Sequence, residues 1–256
     1  MRLLILLLAC CALQAQAQTQ MQMAEPRSGL EFQSKDVRRM QQDDFANPAM
    51  LPVARGETLW RERRGAAAKS CADCHGDAAR SMRGLAARLP AWDARLGRVS
   101  TLDARVNACV AGEQRAAELA PEAPELLGLL AYLALQSRGM PLQVDAGAAA
   151  VPLLARGREL YMTRVGQMNL ACTHCHDSKW GSTLLAEKIS QGHPNAWPAY
   201  RLEWQGTGSL ERRLRACFLG VRAEMPAYRS EDLVALQLYL AVRARGMAME
   251  APGVRR

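Results

Sequence analysis

Apolar residues recur at helical spacing in two stretches that occupy matching places in the two halves of the chain. From Glu125 to Gln136, Leu126, Leu127, Leu130 and Leu133 fall along one face of a segment that starts after Pro124 and stops at Gly139. The second stretch opens on Ser230, the residue type that caps a helix start, with Glu231 and Asp232 in a first turn where acids oppose the positive end of the helix dipole. Leu233, Leu236 and Leu240 then line its inner face. No run alternates convincingly between apolar and polar, so the pattern predicts an all-α fold. Residues 18–50 are polar and rich in Gln, which predicts an extended N-terminal arm. The opening residues differ again. Arg2, the apolar run from Leu3 to Leu8 and the Ala15-Gln16-Ala17 triplet make residues 1–17 a signal peptide, with an apolar run too short to span a bilayer. Leu7-Leu8-Ala9-Cys10 is a fainter lipoprotein cleavage box, which would halve the usual apolar core.

The two helices close longer repeats. Ala54-Arg55-Gly56-Glu57-Thr58-Leu59-Trp60 leads to Cys71, as Ala155-Arg156-Gly157-Arg158-Glu159-Leu160-Tyr161 leads to Cys172, with the same spacing from Gly to Cys. Tyr132-Leu133-Ala134 with Arg138-Gly139-Met140 is echoed by Tyr239-Leu240-Ala241 with Arg245-Gly246-Met247. The second copy carries a short insertion in its middle section. The division this predicts is a leader at 1–17, an arm at 18–50, and tandem domains at 51–142 and 143–256, joined by a loose linker from about Pro141 to Pro152.

Each repeat contains Cys-x-x-Cys-His, at Cys71 to His75 and at Cys172 to His176. Two thiols on one helical turn reach the two vinyl groups of one porphyrin, and the adjacent His lies under the iron as proximal ligand. Zinc binding by the CxxC pairs is the rival, and the His that follows both copies favours haem. The motifs therefore predict a protein with two covalently bound haem c groups, in tandem cytochrome c-like domains, exported to the periplasm. The net charge of +8, carried mostly by Arg, suits a solvated surface or anionic partners. Basic clusters interleaved with aromatics are missing, which argues against nucleic-acid binding. No other segment is apolar enough to be transmembrane.

The second axial ligand sets the chemistry of each haem. Beyond the leader and the four thioether positions, Cys109 and Cys217 are left, one per repeat, in the parallel runs Arg105-Val106-Asn107-Ala108-Cys109 and Arg213-Leu214-Arg215-Ala216-Cys217. They could serve as two thiolate ligands, join in a disulfide, or be buried structural thiols. Met225, in Met225-Pro226-Ala227-Tyr228, is a rival ligand for the second haem, but the first repeat has Leu119 in its place. His193 and His174 are lesser candidates without counterparts in the first repeat, and His174, between two thioether cysteines, should point away from the iron.

The run from Trp197 to Gly206, then Gly208-Ser209-Leu210, Arg212 to Cys217 and Val221 to Glu224, closely resembles the SoxA family, dihaem subunits of the SoxAX cytochromes of thiosulfate oxidation. The resemblance extends from about residue 50 to 248. It implies an L-cysteine S-thiosulfotransferase, a sulfur-transferring haem-thiolate enzyme that joins thiosulfate oxidatively to a cysteine of the SoxYZ carrier. Its electrons would pass to SoxX and on to a soluble cytochrome c. By the same resemblance Cys217 is the active-site cysteine, carried as a persulfide and ligating haem 2 opposite His176. Cys109 is the distal ligand of haem 1 opposite His75, and Arg213 contacts the substrate; Arg222 is a second substrate-binding candidate from its guanidinium chemistry rather than from the resemblance. Forked guanidinium groups suit a thiosulfate dianion, and a thiolate beside cations stays deprotonated. The alternative is a periplasmic dihaem electron-transfer cytochrome with no bond-making role.

Overall fold

The computed structural model describes residues 25–256, so the leader, its cleavage site and residues 18–24 lie outside the described residues. In chain order the helices are α1 (Lys35–Gln42), α2 (Met50–Arg61), α3 (Cys71–His75), α4 (Ala78–Ser81), α5 (Leu102–Gly112), α6 (Pro124–Leu135), α7 (Gly147–Met162), α8 (Cys172–His176), α9 (Leu210–Gly220) and α10 (Glu231–Arg243). Between and after them lie seven strands of two or three residues: β1 (Ala91–Asp93), β2 (Arg98–Ser100), β3 (Thr183–Leu184), β4 (Glu187–Lys188), β5 (Ala199–Arg201), β6 (Gly206–Gly208) and β7 (Gly253–Arg255). Strands this short leave no readable alternation in the sequence. The fold is helical with these small sheets added.

Two helix pairs carry the packing, α2 against α6 and α7 against α10. Their geometry follows from one glycine each. A Cβ at Gly56 would lie 2.0 Å from the Gly128 carbonyl oxygen, and one at Gly157 would lie 2.1 Å from that of Ala235. Backbone therefore meets backbone at both crossings. The Arg before each glycine pairs with an acid in the first turn of the closing helix, Arg55 with Glu125 and Arg156 with Asp232. In α6 every residue from Leu126 to Ala134 is buried, and in α10 Leu233, Leu236 and Leu240 are. Each such leucine contributes roughly 1.5–3 kcal/mol on burial. Ser230 caps α10 as its sequence predicts, accepting from the Leu233 N–H, and Pro124 takes the first position of α6.

Two segments depart from the sequence pattern. The segment expected to be an extended arm contains α1, capped by Ser34 and anchored by buried Val37. The expected linker is helical from Gly147, with Pro152 inside α7. Burial prevails over the proline there, because Ala150 packs in a cluster with Val99, Val144, Leu238 and Ala241 that spans both halves of the chain.

A cavity of about 120 Å³ lies between α5 and α6 on one side and α9 and α10 on the other, lined by Leu102, Leu126, Leu130, Trp197, Leu210 and Glu211 among others. Glu211 is 5% exposed. Its carboxylate accepts from the Arg229 N–H at 3.0 Å and from Gln237 Nε2 at 3.1 Å. Burial pushes the Glu211 carboxyl up to about 7, and the nearby charges of Asp103 and Glu122 add to this against the opposing Arg229.

Replacing Gly157 with Ala forces the α7–α10 crossing apart, and thermal unfolding should show a loss of about 2–4 kcal/mol. An unchanged melting temperature would mean that the close crossing is not needed. Glu211 carries a pH signature with a defined sign. A carboxyl whose folded value lies above its unfolded one contributes stability below the unfolded value of 4.5 and loses it as pH rises through about 7. Glu211→Gln, with the Gln237 amide turned to accept, should therefore match the parent near pH 5 in denaturant unfolding. By pH 8 it should exceed the parent by on the order of 2 kcal/mol. Parallel stability curves across that range would refute the shift.

Candidate functional site

The two CxxCH motifs form α3 and α8, single-turn helices whose starts are held by side chains from within the motif. The Ser70 N–H donates to Asp73 Oδ2 at 2.9 Å, and the Ala171 N–H donates to His174 Nδ1 at 3.0 Å. His174 is thus a cap, which accounts for its place between the two cysteines. An aromatic residue of the preceding long helix holds the residue after each motif. Trp60 Nε1 donates to the Gly76 carbonyl at 2.9 Å, and the Tyr161 hydroxyl donates to Asp177 Oδ1 at 2.8 Å.

Cys109 and Cys217 lie on α5 and α9, capped by Thr101 and Ser209. The loop ahead of each motif is stitched to the end of its cysteine-bearing helix. Ala66 and Ala67 N–H groups donate to the carbonyls of Arg115 and Gln114, and Gln167 and Met168 N–H groups to those of Arg222 and Val221. Gly65 and Gly166 make the approach possible at positive φ, since a Cβ there would sit 2.0 and 2.2 Å from a carbonyl oxygen. This brings Cys109 to Cys71 and Cys74, and Cys217 to Cys172, Cys175 and His176. None of the six cysteines among the described residues is in a disulfide, and Cys109 and Cys217 belong to different clusters, so a disulfide between them is ruled out in this structure.

His176 Nδ1 meets the Ser190 carbonyl oxygen at 2.7 Å. A carbonyl only accepts, so the proton sits on Nδ1 and Nε2 is left as the donor atom for a metal. Gly192 (φ 75) lets the loop lie flat against this ring, 3.0 Å from where its Cβ would be. Gln191 fixes the same loop, accepting from the Arg27 N–H at 2.7 Å and bonding His193 Nε2 at 3.1 Å. In the first cluster His75 packs on Trp60, with ring centroids 5.8 Å apart. Thiol pairs on one turn, a neighbouring imidazole and a sulfur facing it are the donor set of a covalently attached haem, and the residues fit that group. Among the described residues no three His, Cys, Asp or Glu side chains converge to hold a bare metal ion, which leaves the CxxC pairs short of zinc donors.

The electrostatics of the two clusters differ. Burial pushes the Cys109 thiol up, helped by Glu113 and Cys74. Burial also acts to raise Cys217, but Arg213, a hydrogen bond with His176 and the charge of Arg201 outweigh it and bring the thiol down to about 7. Burial pushes Cys172, beside it, up to about 12. Arg213 therefore faces Cys217, and unlike Arg201 and Arg229 it has no carboxylate partner among the described residues. Arg222 is exposed just past the end of α9 and takes a left-handed backbone, φ 56. Its carbonyl takes part in the backbone stitch, and its N–H donates to the Leu219 carbonyl. Met225 is 40% exposed, while Cys217 is the sulfur that meets His176. Burial, with the charges of Arg243 and His176, lowers His193 to about 4, so it is neutral and serves the Gln191 loop. The sequence did not single out Arg201. It lies inside a recognisable run, but no residue type or spacing there marks it as facing Cys217.

Comparisons with known proteins agree with this arrangement. Residues 55–142 match the family model described as SoxA/TsdA, cytochrome c domain. The chain is similar to the L-cysteine S-thiosulfotransferase subunit SoxA of Pseudaminobacter salicylatoxidans, 38% identical over 90% of this chain and 81% of the relative. It is 36% identical to the subunit of that name from Rhodovulum sulfidophilum, over 90% of this chain and 80% of the relative. Among solved structures it is similar to a chain in the crystal structure of SoxXA from P. pantotrophus, with a TM-score of 0.88 and 35% identity, covering 90% of this chain and 87% of that one.

Proposed function

The chain belongs to the SoxA family, and on that premise we propose that it is a dihaem L-cysteine S-thiosulfotransferase subunit that joins thiosulfate to a cysteine of the SoxYZ carrier. The observation that carries the reading is the placement of Cys217 beside His176 with the unpaired charge of Arg213 next to it. Family membership names the reaction, and that geometry supplies a reason for it. The reading includes one haem c per motif, which would be attached through Cys71 and Cys74 and through Cys172 and Cys175, with His75 and Cys109 and with His176 and Cys217 as the residues that would hold each iron. It also includes residues 51–142 and 143–256 as the two haem domains, residues 18–50 as their arm, and export to the periplasm by the leader.

The chemistry asked of the chain is formation of a sulfur-sulfur bond between thiosulfate and a carrier thiol, which releases two electrons and the thiol proton. Bound haem supplies an electron acceptor next to the reacting sulfur. Arg213 grips the sulfonate end of the dianion through its planar fork, and this presents the outer sulfur to Cys217. Arg222, exposed just past the end of α9, adds long-range attraction. Joining the outer sulfur of thiosulfate to the Cys217 persulfide sulfur forms a sulfur-sulfur bond with loss of two electrons, and attack of the carrier thiolate on that outer sulfur then transfers the thiosulfate group and returns Cys217 to its persulfide. Its cationic surroundings keep it anionic at neutral pH, where a thiol would be a weak nucleophile. The electrons leave to SoxX and then to a soluble cytochrome c.

Cys217→Met should keep full covalent haem content but abolish thiosulfate-dependent reduction of cytochrome c in the presence of SoxYZ. In low-temperature EPR it should convert one His/thiolate low-spin signal to His/Met. Full turnover by this variant would leave the electron-carrier alternative standing. Arg213→Ala should lower kcat/KM for thiosulfate by roughly 10²-fold, the worth of a charge-assisted forked contact.

A further inference from the structure

The motif histidine of the second half is held by a chain of hydrogen bonds that ends near the start of the arm. The carbonyl that accepts from His176 Nδ1 belongs to Ser190, and the next residue of that loop, Gln191, is 4% exposed. The Gln191 amide grips the arm backbone through both of its polar atoms. Its Oε1 accepts from the Arg27 N–H at 2.7 Å, and its Nε2 donates to the Glu25 carbonyl at 3.3 Å. These two bonds fix which way the amide faces. His193 Nε2, which meets the same Oε1 at 3.1 Å, therefore carries the proton and donates. Arg243 of α10 braces the loop as well, with Nη1 on the Gln191 carbonyl at 3.4 Å and Nη2 on Asp177, the residue after His176.

The arm is itself anchored at this point. Ser28 caps the turn Gly29–Phe32, and the Arg27 guanidinium lies over the rings of Phe32 and Trp180, 5.2 and 5.9 Å from their centroids. Phe32 is buried and meets the Trp180 ring edge-on at 6.1 Å. Trp180 lies in the segment that leaves the second motif, so the arm touches that segment and the Ser190 loop together. The first half has no such device. His75 is exposed and packs on Trp60, and among the described residues no loop carbonyl meets its ring nitrogens. A bond from Nδ1–H to a carbonyl raises the basicity of Nε2 and fixes the rotation of the ring. Both effects depend on where the carbonyl is kept.

We propose that Gln191 is a positioning residue for His176, and that residues 25–27 of the arm are the strap that keeps Gln191 in place. The strap holds the Ser190 carbonyl against Nδ1, so Nε2 stays a strong donor at a fixed ring orientation. On iron, a stronger donor lowers the reduction potential, and the arm exerts this effect on the second haem and not on the first. The inference rests on the reading that His176 holds a haem, but on no reaction of thiosulfate.

The test uses the haem-loaded protein in complex with its SoxX partner and reads the reduction potential and EPR g-values of the signal that Cys217→Met moves. Arg27 is exposed, and Arg27→Pro deletes the N–H that Gln191 accepts, whereas Arg27→Ala keeps it and removes only the guanidinium. Gln191→Leu removes both amide bonds at similar size. Arg27→Pro and Gln191→Leu should raise that potential and shift its g-values, with the other haem signal fixed. Arg27→Ala should leave the potential at or below the parent value, because loss of a cation acts in the opposite direction. If Gln191→Leu does not fold, the two Arg27 variants decide alone. An unmoved potential in Arg27→Pro, or an equal rise in Arg27→Ala, would overturn the proposal. Amide exchange over residues 188–193 reads the strap without the haem. It should quicken about tenfold in Arg27→Pro, the worth of one hydrogen bond, and not in Arg27→Ala. A parent with a single haem, whose exchange Arg27→Pro still quickens, would sink the second-haem reading and leave the strap standing. Unchanged exchange would remove the strap itself.

Discussion

Everything at the two cysteine clusters depends on a small backbone stitch. The loop before each CxxCH turns back on a glycine and donates two N–H groups to the carbonyls that end the helix bearing Cys109 or Cys217. Those carbonyls lie just past the helix end, so the stitch fixes the segment that leaves the helix and with it the distance between motif and cysteine. Gly65 and Gly166 are there because the carbonyl approaches to where a side chain would begin. Ala68 and Asn169, then Arg115 and Arg222, repeat the same left-handed backbone on the two sides of the stitch. Matching positive φ values at matching positions show that the two halves share a geometry, whatever their side chains have become.

On that common frame the halves diverge by charge. Cys109 has Glu113 near it and an Arg105 already paired with Asp93, and its thiol is pushed up. Cys217 has Arg213 and Arg201, and its thiol comes down despite burial. Position on the helix does not explain the difference, since both cysteines sit in the closing turns, where the helix dipole opposes an anion. The added cations have to overcome both the dipole and desolvation.

The legible parts of the sequence were those written in periodic or motif form. The leucines of α6 and α10, the Ser230 cap and the paired Ala-Arg-Gly segments read directly, and the last became intelligible as close helix crossings only when Gly56 and Gly157 were seen against backbone. The two thiol motifs read as haem sites for chemical reasons that require no fold. What stayed hidden depends on contacts between distant segments. α7 begins within what reads as a linker because Ala150 is buried against residues from both halves. The strands are too short to leave a pattern, and Arg201 is one of many arginines until β5 is laid beside α9.

That sheet shows why the second half carries more than its repeat. β5 pairs with β6 as β1 does with β2, but it also gains a parallel partner, β7, from the end of the chain. Gln41 of α1 accepts from the Val254 N–H at 2.8 Å, and Asn47 Nδ2 donates to the Pro252 carbonyl at 3.3 Å, so the arm secures β7 in turn. Residues near both ends of the described chain therefore converge on the strand that carries Arg201. A buried guanidinium is costly unless it is held and partnered. Glu187 comes from the insertion that the first half lacks, Glu203 from the turn after β5, and Trp204 supplies a face for the cation. The insertion, the arm and the C-terminal strand are three additions to a plain repeat. All three bear on the conditions under which a positive charge can stay buried beside Cys217.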